Sequence, residues 1–165
     1  MGDFGIDLHV INEADDVIDT LSSEQIHKTG KLHRAMHTLV INDKGDIFVR
    51  KRSYQMELYP GVWTSSVGEH VFLGESYTDT AKRALREFLG LETPLEFLGK
   101  VRVHDKIENE LVAVFKTHAN AVPDLNTEHS EEGHYLCEDK LNDLLDSGTT
   151  TPHLAAALKL YLNVR

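Results

Sequence analysis

The chain has 165 residues, 41% of them hydrophobic, a formal net charge of −10 and a single cysteine, Cys137. That length suits one domain burying roughly two-thirds of its unfolded surface, and a lone cysteine excludes both an internal disulfide and a paired-cysteine zinc site. The acidic balance disfavours nucleic acid and membrane surfaces as partners, and no apolar run is long enough to span a bilayer. The opening Met1-Gly2-Asp3-Phe4-Gly5 has no basic region followed by an apolar one, so no signal peptide is expected. The chain is expected to be one cytoplasmic domain over 1–165.

Residues 6–11 and 17–21 flank the polar segment 12–16 and predict a first pair of strands. Residues 22–28 predict a short helix capped by Ser22 or Ser23. The β-branched segments 38–41 and 47–50, joined by Asn42-Asp43-Lys44-Gly45, carry the clearest hairpin signal. The Pro/Gly-punctuated stretch 58–67 predicts a loop running into a strand, and a further loop containing 69–74 leads to a helix at 76–89. Ser76 caps that helix, Asp79 completes a capping box and Gly90 stops it. Tyr77, Ala81, Leu85 and Leu89 form one apolar stripe, which Ala84 and Phe88, four apart, extend. Segments 95–103, 110–116 and 134–137 predict strands, and 154–162 predicts a helix after Pro152. Strands with few intervening helices point to an α/β (α+β) protein with a mixed sheet sandwiched between helices.

Two local readings concern chemistry. Strand alternation puts Arg50 and Arg52 on one face with Lys51 opposite, and guanidinium groups suit phosphate oxygens. Trp63 reads either as a core aromatic or as a pocket-lining one, and Cys137 as a small buried hydrophobe.

The segment from Glu69 to Leu91 resembles the Nudix box, G-x5-E-x7-R-E-U-x-E-E-x-G-U, with U a bulky aliphatic. Glu75, Arg83, Leu85, Glu87, Gly90 and Leu91 match, while Glu69, Ala84 and Phe88 replace the glycine and two of the glutamates. Upstream, Tyr59-Pro60-Gly61-Val62-Trp63-Thr64-Ser65-Ser66-Val67 is similar to the W-P-G-V-W-T-N-S-V segment of type I isopentenyl diphosphate isomerases. Their E-N-E motif reappears as Glu108-Asn109-Glu110, and His27 and His33 stand near two of their metal-binding histidines, one residue closer together. The resemblance implies a Nudix fold over nearly the whole chain.

It also implies a site. His27, His33, His70, Glu108 and Glu110 match metal-ligand positions of the isomerases, and Arg52 matches a diphosphate contact. Magnesium or manganese is the implied ion, with zinc suited to the His/Glu set. Two departures argue against isomerisation. The catalytic cysteine of that family is Gly68 here, and its Thr-Pro-Trp is Thr151-Pro152-His153. His153 reads equally as pocket-facing or as a surface residue. The box helix keeps Glu87, which pairs with Arg83 at helical spacing, and loses the neighbouring carboxylates. The expected function is metal-dependent hydrolysis of a small organic diphosphate, with Glu110 and Glu87 as catalytic candidates, Glu87 and His70 helping to hold the metal ion, and Arg50, Arg52 and Trp63 on the substrate. The alternative is a diphosphate-binding Nudix protein with weakened catalysis. The sequence carries no signal of oligomeric state.

Overall fold

β1 (Asp7–Ile11) and β2 (Val17–Ser22) form an antiparallel pair, and α1 (Ser23–Thr29) follows at once. Ser22 caps α1 through a capping box with Gln25, and Gly30 ends it in the left-handed conformation that a side chain would disfavour. β3 (His33–Ile41) and β4 (Ile47–Arg52) flank the turn at 42–45. β5 (Trp63–Thr64) and β6 (Val67–His70) lead to α2 (Tyr77–Leu89), then come β7 (Glu96–His104), β8 (Asn109–His118), β9 (Ser130–Leu136), α3 (Glu138–Asp146) and α4 (Pro152–Val164). These elements come from a computed structural model that describes residues 5–165; Met1 to Phe4, part of the stretch read for a leader, lie outside the described residues. Among the described residues no helix is long and apolar enough to cross a membrane.

β3 organises the sheet. It runs parallel to β8 along its whole length, from His33 opposite Glu110 to Ile41 opposite His118. Its other edge is shared: β6 pairs antiparallel with residues 35–38, whereas β4 meets β3 only at Ile41 and Ile47 before diverging to pair with β5 and β9. β7 closes the far edge against β8. The mixed sheet therefore opens into a cleft between β4 and β6.

Alternation on the strands sorts the core into two faces. Ala35, Leu39, Ile47, Val49, Val112 and Val114 point to α3 and α4, where Leu141, Leu154 and Leu158 meet them. Met36, Val40, Phe48, Ala113 and Phe115 point the other way, onto Ala81, Ala84, Leu85, Phe88 and Leu89 of α2. Helices thus cover both faces, as the sequence predicts. The capping box of Ser76 and Asp79 and the left-handed Gly90 form as expected.

Several elements differ from the sequence reading. β3 begins at His33, five residues earlier than the apolar run suggests, because the polar residues His33 and Arg34 that open it pair in register with Glu110 and Leu111 of β8. The segment at 69–74 is strand as far as His70, since β6 continues pairing with β3. α3 was not anticipated: its N-cap is Cys137, which makes no side-chain cap bond. Cys137 is exposed, not buried, because the chain leaves the sheet there.

Ala84 is fully buried and Phe88 is 5% exposed. Ala84→Glu therefore buries an unpaired carboxylate, and Phe88→Ala removes an aromatic ring at roughly 3–5 kcal/mol. Both variants are expected to melt well below the wild type, whereas Glu87→Ala at the exposed neighbouring position changes the melting temperature little.

Candidate metal centre and substrate cavity

Three histidines converge on one carboxylate. His27 lies in the last turn of α1, and its Nδ1 donates to the Ser23 carbonyl at 2.7 Å. His33 opens β3, and its Nδ1 donates to the Lys31 carbonyl at 2.9 Å. A carbonyl only accepts, so both rings carry a proton on Nδ1 and turn Nε2 inward. His27 Nε2 lies 2.9 Å from Glu108 Oε1, and His33 Nε2 lies 3.0 Å from Glu108 Oε2. His70, from the end of β6, brings Nε2 to 3.3 Å from both Glu108 Oε1 and Glu110 Oε2. Ring centroids of the three histidines are 5.1–5.2 Å apart.

The β7–β8 turn supplies Glu108. Asp105 Oδ1 accepts the backbone N–H of Ile107 and of Glu108, each at 2.7 Å, which fixes the turn. Asn109 Nδ2 donates to the Gly30 carbonyl at 2.9 Å, tying the same turn to the end of α1. Burial pushes the Glu108 carboxyl up, but the imidazoles of His27, His33 and His70 beside it outweigh burial and hold it well below the usual carboxylate range. Burial opposes charge on His27, and Glu108 outweighs that in turn, raising the imidazole.

The arrangement fits a cation. One ligand atom from each of His27, His33, His70 and Glu108 lies within 4.8 Å of the other three. Two buried atoms, His33 Nε2 and Glu108 Oε2, have no hydrogen-bond partner among the described residues, although they face each other. Histidines that give one ring N–H to a carbonyl and aim the other nitrogen at a common point are typical of metal ligands. Three imidazoles and a carboxylate suit zinc or manganese better than magnesium.

Glu110 leads from this centre into the cavity. It is 2% exposed, and its Oε1 accepts from His153 Nε2 at the start of α4. Burial and Glu108 push its carboxyl up, and His153 and His70 bring it below the usual range. His153 is thus a pocket residue, one of the two positions its sequence context allowed. Its ring stacks on His37 at 4.6 Å and 16°. Tyr59 meets His153 edge-on at 5.7 Å, and its hydroxyl donates to Asp105 Oδ2 at 2.7 Å. Tyr59 adopts a φ of 49°, a left-handed conformation uncommon for an aromatic residue.

Arg50 and Arg52 line the same cavity, in the cleft between β4 and β6. Arg50 is 1% exposed; it donates to the Ser66 carbonyl at 3.0 Å and to Ser130 Oγ at 3.2 Å, and lies 5.1 Å over the Phe88 ring. Burial, with Arg52 beside it, brings its guanidinium down to about 9. Arg52 donates to the Leu58 carbonyl at 2.9 Å. Lys51 turns away onto Tyr54, at 5.2 Å.

Two sequence candidates lie apart from this group. Trp63 packs beside the core facing α4, with its ring 5.9 Å from His134, and is not among the cavity-lining residues. Glu87 projects from the exposed side of α2, because Ala84 and Phe88 take the buried side, and it pairs with Arg83 at 3.3 Å. Arg83 also grips Glu75 through two bonds of 2.8 and 3.0 Å, which secures the loop before α2. His37 and Tyr59 were not singled out from sequence. For His37 a signal existed: on one strand, residues four apart share a face, so His37 must look the same way as His33.

Metal and protons compete for the three imidazoles. The raised His27 means that its bond to Glu108 stabilises the metal-free protein below the ordinary histidine value and fades as pH rises through the raised one. Zn²⁺ at about 100 times its dissociation constant is expected to stabilise the fold by roughly 2.7 kcal/mol. The melting-temperature gain should widen from about pH 5 to about pH 8, and Glu108→Gln should abolish it. A gain that survives this substitution places the ion elsewhere.

Comparisons with known proteins bear on the family and the fold. The NUDIX domain model matches residues 31–154. An uncharacterized Nudix hydrolase of Pseudomonas aeruginosa is 27% identical over 154 residues, 93% of this chain and 91% of that protein. The isopentenyl-diphosphate Delta-isomerase of Shigella boydii is 34% identical over 128 residues, covering 73% of this chain and 69% of the isomerase. A crystal structure from Deinococcus radiodurans shares the fold with a TM-score of 0.78 at 21% identity, covering 96% of this chain and 99% of that one. With the box helix, the mixed sheet and the family match in agreement, the chain belongs to the Nudix family.

Proposed function

We propose that this protein hydrolyses a small organic diphosphate with a divalent ion held by His27, His33, His70 and Glu108, Glu110 completing the donor set. The observation that carries this reading is the convergence of those four ligand atoms within 4.8 Å beside a cavity lined by two arginines. An ion bound there supplies Lewis-acid stabilisation of charge on the diphosphate oxygens. Arg50 and Arg52 offer the complementary positive charge, and their forked donors orient phosphate oxygens. Glu110 fixes His153 and so shapes the cavity wall. Glu87, on the outer side of α2, takes no step in this reading, and Trp63 supports the wall from the core. The nitrogen-rich donors favour zinc or manganese over magnesium.

A second reading has its own support. The buried Ala84 and Phe88 leave α2 with no carboxylate turned toward the cleft, which favours a protein that binds a diphosphate without cleaving it. Isomerisation is not proposed, because Gly68 offers no acid and His153 no carbocation-shielding indole.

The test is a panel of nucleoside and prenyl diphosphates incubated with Zn²⁺, Mn²⁺ or Mg²⁺. Phosphate or monophosphate release is expected with Zn²⁺ or Mn²⁺, abolished by chelation and by Glu108→Gln, with Arg52→Ala raising KM about tenfold or more, the loss of roughly 1.5–3 kcal/mol expected of a charged hydrogen bond. Saturable binding without release selects the binding reading. Conversion of isopentenyl to dimethylallyl diphosphate overturns both.

A further inference from the structure

His37 and Gly68 are register partners on β3 and β6, and only one of them has room for a side chain. A Cβ on residue 68 would lie 2.3 Å from His37 Cε1 and 2.6 Å from its Nε2, far inside van der Waals contact. The imidazole therefore fills the volume that a larger residue 68 would need. It is held there from two sides. Nδ1 lies 2.5 Å from Ser65 Oγ, and the ring face stacks on His153. Ser65 has one hydroxyl hydrogen, which it donates to the Val67 carbonyl at 2.9 Å. Its oxygen must then accept from His37, so the imidazole proton sits on Nδ1. Nε2 keeps its lone pair, has no hydrogen-bond partner among the described residues, and belongs to a ring that lines the cavity.

Several other cavity groups are engaged. Glu110 accepts from His153, whose Nε2 proton is committed to that bond, and the Tyr59 hydroxyl donates to Asp105. His129 also lines the cavity, but it sits edge-on against Phe88 and no side-chain hydrogen bond fixes its tautomer among the described residues. Burial above all, then His153, keeps the His37 imidazole well below its ordinary range against the pull of Glu110, with Arg50 and Arg52 adding to the same effect. His37 is neutral near pH 7.

We infer that His37 is the general base of this cavity, a role that rests on the hydrolase reading. The oxygen of a water molecule bonds to phosphorus as His37 Nε2 takes one of its protons. The bond from phosphorus to the bridging oxygen breaks, its electron pair leaves with the departing phosphate, and His37 returns the proton to that phosphate or to solvent. No oxidant or reductant is involved.

Two independent arms test this with the metal-loaded full chain. Diethyl pyrocarbonate acylates neutral imidazole nitrogens that can be reached; mass mapping is expected to find His37 modified, and imidodiphosphate should protect it. In the kinetic arm, His37→Gln is expected to lower kcat by about 10²–10⁴-fold with KM and Zn²⁺ binding nearly unchanged. His37→Asn, which can still donate to Ser65, serves if the Gln variant does not fold. Gly68→Ala should lose kcat as well, because its methyl group displaces the ring, and adding it to His37→Ala should cost nothing further. An unmodified His37 in the folded protein overturns the inference whatever the activity, and so does wild-type kcat in the His37 variants. Absence of turnover in the wild type, with His37 modified and protected, counts instead against the hydrolase reading.

Discussion

Glu108 is a carboxylate with 3% exposure, and burying such a group without compensation costs several kcal/mol. Much of the local architecture answers that need. α1 ends where His27 reaches Glu108, β3 begins with His33 on its other oxygen, and β6 ends on His70. Asp105 shapes the turn that presents the carboxylate, and Asn109 ties the turn back to α1. Protons alone meet the need imperfectly, since His33 Nε2 and Glu108 Oε2 face each other without a hydrogen bond. A divalent ion would replace two or more imidazole protons at once, so folding energy and metal affinity are drawn from the same set of contacts.

The box helix has a different duty here from the one its motif suggests. Arg83 joins Glu75, Glu69 and Glu87, and the Glu75 carboxylate also receives the Phe72 N–H at 3.1 Å. These bonds brace the loop behind β6 and so the strand end that carries His70. The face where glutamates would hold metal is given over to packing against Met36, Val40 and Ala113. The helix acts as a support, while the His/Glu cluster lies on the opposite side of the sheet, on the face of Ala35 and Val112.

Legibility in the sequence followed the range of the interaction. The caps of α1 and α2 and the turn at 42–45 are set by residues within four positions of each other, and they were readable. The convergence of His27, His33, His70 and Glu108 could be expected because each matches a position of the isomerase motif pattern. The link between Gly68 and His37 was not, since it depends on a side chain that is missing, opposite a residue 31 positions earlier in β3. α3 escaped notice for want of a capping side chain at Cys137. The placement of Trp63 depended on how β5 meets the chain after α3, where Trp63 donates its N–H to the Thr149 carbonyl at 2.9 Å, and no local pattern encodes that.

β3 carries both His33 and His37, four residues apart on one face of a strand hydrogen-bonded on both edges. Their backbone separation is about 13 Å, four steps of the strand rise. Unlike the reach of a loop, this interval is a ruler marked into the backbone, and the chain around it can vary without altering it. The segment between β4 and β5, where Tyr59 sits, can change shape while the distance between the two imidazoles stays fixed.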